Sequence, residues 1–76
     1  MNKKDRKELD KAVGLIDEAK EIIDSVMNGE QEKFDNLSEG LQQSEMGQKL
    51  EANVSNLENA IDNLDAGLEE INTAIE

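Results

Sequence analysis

The sequence has no cysteine, histidine, proline, tryptophan or tyrosine, and Phe34 is its only aromatic residue. Without cysteine no disulfide can form, and without cysteine or histidine there is no structural zinc site. The same gap removes the residues that most often do nucleophilic and acid–base chemistry at neutral pH. Ser25, Ser38, Ser44 and Ser55 have no base available except carboxylates, and helix caps and solvated helix positions account for them. The lack of proline and near-lack of aromatics are typical of helical, coiled-coil-like chains. No apolar run approaches the length of a membrane span, and no apolar signal-peptide core follows the basic N-terminus. The expected location is therefore cytoplasmic. The sequons Asn36-Leu37-Ser38 and Asn53-Val54-Ser55 are expected to be silent.

Positive charge is scarce and unevenly placed. The 76 residues hold 19 acidic and 8 basic side chains, a net charge of -11. Five of the basic ones, Lys3, Lys4, Arg6, Lys7 and Lys11, fall in the first eleven residues, and none follows Lys49. This balance argues against direct binding to nucleic-acid phosphates or an anionic membrane. A zipper-type DNA binder is disfavoured too, because the basic segment is short, is interrupted by Asp5, Glu8 and Asp10 and is attached to a strongly negative body.

What the chain does contain is a strong apolar period. Leu9, Ala12, Ile16, Ala19, Ile23 and Val26 step by three and four, as do Leu50, Val54, Leu57, Ile61, Leu64, Leu68, Ile71 and Ile75. This is the heptad pattern of helices packed at shallow angles. The fold expected is all-α: an antiparallel two-helix hairpin with a helix over 3–37, a turn over 38–43 and a helix over 44–75. Ser44 followed by Glu45 reads as a cap and a first-turn acid. Asn28-Gly29 is a competing break that would leave a short extra helix over 30–37. A turn about Gly40 gives facing residues numbers that sum to 80 and matches every seam residue of the first helix with an apolar partner. Sums of 73 or 87 match as well. An antiparallel arrangement also sets Lys3, Lys4, Arg6 and Lys7 beside Glu69, Glu70 and Glu76, and the expectation is that they neutralise one another where the helix dipole disfavours each.

One helix neighbour cannot cover the apolar band of the first helix. Leu15, Ile22, Met27 and Phe34 are the candidate self-association residues, with a homodimer forming a four-helix bundle as the expected assembly.

No catalytic, cofactor or metal site is expected. A calcium loop starting at Asp62 would place Leu64, Ala66 and Thr73 at ligand positions, and one starting at Asp35 would place Leu37 and Met46 there. A di-iron bundle needs histidine. The candidate partner site is an acidic ridge of Glu51, Glu58, Asp62, Asp65 and Glu69 along one flank of the second helix, continued by Glu76. Such a ridge can imitate a nucleic-acid backbone and occupy a basic groove on another protein. The other flank, Asn53, Asn56, Ala60, Asn63 and Gly67, is small and amide-rich and suits close packing.

Residues 30–47, EQEKFDNLSEGLQQSEMG, followed by a second acidic helix, resemble a family of small acidic helical proteins of bacteriophages and prophages. The matching positions are Phe34, Asp35, Asn36, Leu37, Leu41, Gln42, Ser44, Glu45 and Gly47, and the likeness runs from about Leu15 onward. Ser38 stands where the family form has proline. No activity is assigned to that family. The resemblance implies a phage accessory setting and a non-enzymatic role in blocking or modulating a host protein, defence included. The other reading is a purely structural, self-associating scaffold.

Overall fold

A computed structural model describes all residues from Met1 to Glu76. It contains three helices and no strand: α1 spans Lys3–Asp35, α2 Glu39–Gln42 and α3 Glu45–Ile75. The chain measures 58 × 15 × 13 Å. At about 1.5 Å per residue, each long helix nearly fills that length, so α1 and α3 must lie side by side. The short link between them then makes them antiparallel.

Each helix begins at a polar cap. The Asn2 side chain accepts the Asp5 backbone N–H at 2.7 Å, and Ser38 accepts that of Leu41 at 3.4 Å. Ser44 accepts that of Gly47 at 3.3 Å, as its position before Glu45 predicts. These contacts satisfy N–H groups that have no partner inside the helix. Asn28-Gly29 does not break α1, which runs through both residues unbroken. It ends at Asn36, whose N–H reaches the Glu32 carbonyl at 3.0 Å.

The connection is built from residues 34–47. Gln42 Nε2 donates to the Phe34 carbonyl at 3.2 Å and ties α2 back to the end of α1. The Ser44 hydroxyl donates to the Leu41 carbonyl. Gly47, in the first turn of α3, is buried against the end of α2. A methyl group there would fall on the Gln42 carbonyl oxygen and within 2.6 Å of both the Gln42 carbonyl carbon and the Leu41 carbonyl oxygen. Only glycine allows this approach. The segment 34–47 is thus a structural corner.

The seam between α1 and α3 is thin. Leu50, Val54, Leu57, Ile61, Leu64, Ile71 and Ile75 are half-buried, and Leu68, 9% exposed, is the one buried apolar side chain. On α1 the half-buried line runs Leu9, Ile16, Ile23, Met27 and Phe34, and Leu37 continues it just past the helix end. Val26, expected in the seam, is 51% exposed, and Met27 takes its place. The reason is helical drift. A straight helix turns every 3.6 residues, so a strict heptad count slides round the surface by about 20° per repeat. Eleven-residue steps, Ile16 to Met27 and Ile23 to Phe34, stay on the seam.

Candidate functional site

The electrostatic feature that joins the two helices lies mid-length. Lys20 on α1 pairs with Asp65 on α3. Its amine is held above the ordinary 10.5, first by the hydrogen bond to Asp65, and further by the charges of Asp65 and Asp17; partial desolvation opposes this. The Lys20 side chain is half-buried. Beside it, Asp17, Glu21 and Asp24 line a shallow groove with Ile61.

This pair corrects two expectations. The ridge does not stand wholly without cations, since the opposite helix supplies Lys20 to Asp65. The pairing expected at the ends is absent: the ion pairs are Lys20–Asp65 and a 4.0 Å contact between Lys33 and Glu30, and neither involves Lys3, Lys4, Arg6 or Lys7. Those four side chains are exposed, as are Glu69, Glu70 and Glu76. An exposed pair gains about 0–1 kcal/mol, which ordering two long side chains readily cancels.

Lys20–Asp65 also fixes which way each flank faces. Glu51, Glu58, Asp62, Asp65 and Glu69 are all exposed. At about 100° of turn per residue they fall within a narrow stripe of α3. The stripe shares the side on which Lys20, Asp17 and Asp24 leave α1, so both helices contribute to one acidic face. Asp17, Glu21 and Asp24 were not singled out from the sequence. The available signal was the spacing of Asp17 and Asp24, three and four residues either side of Lys20, which becomes meaningful only once the second helix is beside them.

On α1 the exposed apolar side chains lie on the other side of the seam. Leu15 is 56% and Ile22 67% exposed, and Val26 joins them. The four expected self-association residues are therefore divided. Leu15 and Ile22 point away from the seam, whereas Met27 and Phe34 are half-buried within the chain.

Glu30 occupies a position between Met27 and Phe34 on the seam side of α1. It is half-buried, and its Oε2 is buried without a hydrogen-bond partner. No group of three or more acidic side chains is close enough together to hold a metal ion, and no helix is long and apolar enough to cross a membrane. Comparison with family models, curated proteins and solved structures gives no match.

Proposed function

We propose that the chain is a non-enzymatic protein-binding module whose acidic face docks into a basic groove of another protein, in the manner of a nucleic-acid mimic. The observation that supports this is the alignment of Glu51, Glu58, Asp62 and Glu69 as exposed carboxylates beside Asp17 and Asp24. Side chains so arranged repel one another, and only cations from outside the chain can offset that repulsion, since Lys20 is already engaged with Asp65. Long-range attraction then speeds association with a basic partner. The likeness of residues 34–47 to small acidic phage proteins supports a bacterial host protein, a defence protein among them, as the partner. It also supports a cytoplasmic place of action.

In this reading two hairpins associate into a four-helix bundle, which supplies the core that a single pair of helices lacks. A self-associating scaffold is the second reading, favoured by the exposed Leu15 and Ile22. The test is capture from a bacterial host lysate with the parent chain and with a Glu51→Lys/Glu58→Lys/Asp62→Lys variant, which spares Asp65. A host protein held by the parent and lost by the variant supports the module. A host protein held equally by both removes the acidic face from the mechanism. An empty capture with an intact oligomer supports the scaffold.

A further inference from the structure

We infer that the face carrying Leu15, Ile22 and Val26 is covered in solution by the same face of a second copy, so that the dimer turns an acidic face outward on each of its two sides. The inference rests on the dimer reading above and adds the surface and its consequence.

The accessible surface carries the first step. The chain exposes 5722 Å², whereas a compact monomer of its mass would expose about 4600 Å². The surplus, about 1100 Å², follows from the elongated shape and leaves room for the roughly 800 Å² that each partner contributes to a standard interface. A hairpin 58 Å long and 15 Å wide has a face of that size.

Placement carries the second step. Leu15, Ile22 and Val26 lie seven and four residues apart, which sets them on one strip of α1 about 100° round the helix from the seam. In a four-helix bundle each helix meets two neighbours at roughly such an angle, so α1 has one stripe for α3 and another still open. On the same side α3 presents Asn56, Ala60, Asn63 and Gly67, which are small or uncharged and allow close approach. Gly67 has nothing within 4 Å of the place where a side chain would begin.

Charge selects the occupant. The other side of the hairpin carries Asp17, Asp24, Glu58 and Asp62, and two copies with a net charge of -11 each cannot pack through it. Glu18 and Glu21 flank the groove at Ile22 and Val26, yet this face carries fewer carboxylates than the ridge side, and joining through it places the two acidic ridges farthest apart. An isologous interface of this kind closes at two subunits and forms no filament. The dimer is then bivalent toward a basic partner.

The test uses sedimentation with refractive-index detection, because the chain has no tryptophan or tyrosine, together with thiol labelling of single-cysteine variants. The parent should sediment as a dimer, and Ile22→Glu should raise the dimer Kd by about 30-fold or more, the loss typical of a buried interface anchor. The Ile22→Cys variant should be alkylated slowly in concentrated solution and quickly in dilute solution. The Asp62→Cys variant should be alkylated quickly at both concentrations. A parent that stays monomeric at millimolar concentration overturns the dimer reading and this inference together. A dimeric parent whose Asp62→Cys variant is protected while its Ile22→Cys variant reacts freely keeps the dimer and overturns the face. The labelling comparison decides the matter even if Ile22→Glu fails to fold.

Discussion

Lys20 and Asp65 meet across the helix pair although 45 positions separate them in the chain. Their contact fixes one side of the molecule as the side on which α1 and α3 both display carboxylates, and it holds the Lys20 amine above its ordinary value.

That pair sets a pH dependence at the alkaline end. The Lys20 pKa is raised in the folded chain, so its stabilisation is fully present below the unfolded value of 10.5 and is lost as pH rises through the higher folded value. Thermal melts of the parent and of Lys20→Met should differ by a constant amount from about pH 7 to about pH 10 and converge above that range. A difference that already shrinks near about pH 8 would assign the effect to other groups.

Gly47 and Gly29 should respond in opposite directions to the same substitution. At Gly47 a methyl group meets the Leu41 and Gln42 backbone, so Gly47→Ala should cost about 1–3 kcal/mol. At Gly29, in mid-helix with nothing within 4 Å of a new Cβ, alanine should stabilise by about 0.5–1 kcal/mol. Chemical denaturation followed by circular dichroism measures both.

Glu30 is half-buried; its Oε1 lies 4.0 Å from the Lys33 amine and its Oε2 has no hydrogen-bond donor. Glu30→Leu extends the seam between Met27 and Phe34 and should stabilise the chain by about 1–2 kcal/mol, the usual penalty of an unsatisfied polar atom. An unchanged or lower denaturation midpoint would show that water or a partner group serves that oxygen in solution.

Ser44 bonds to both helices it separates, accepting from Gly47 N–H at 3.3 Å and donating to the Leu41 carbonyl. Ser44→Ala should cost about 1 kcal/mol, and Ser44→Asp should restore much of it because a carboxylate accepts the same N–H and suits the helix N-terminus. Equal losses in both variants would point to the Leu41 contact as the important one.

Salt should act on the two proposed interfaces with opposite sign. Screening weakens attraction between the acidic face and a basic partner, and it relieves repulsion between copies that each carry -11. Between about 50 mM and about 500 mM sodium chloride, partner affinity should fall while self-association strengthens. Parallel changes would mean that a single surface serves both.

The sequence by itself determined the two long helices, the Ser44 cap and most of the seam, but not the short helix α2 or the Asn2 and Ser38 caps. Period and capping are local properties, read from spacing along one chain, so Ser44 as a cap and Leu50 to Ile75 as one apolar line were legible without coordinates. The exclusion of cysteine and histidine chemistry followed from composition alone. Relations across the pair were decided only by the tertiary structure. Val26 against Met27 turned on an angular drift that accumulates over several turns and that a heptad count does not register. The choice of Lys20 over the N-terminal lysines as the partner of the acidic ridge depended on which side chains reach the seam edge; the terminal ones remain in water, where pairing gains little. Gly47 appeared in the sequence as a matching position without a reason. Its reason, a backbone carbonyl where a Cβ would stand, exists only once α2 has folded back against α3.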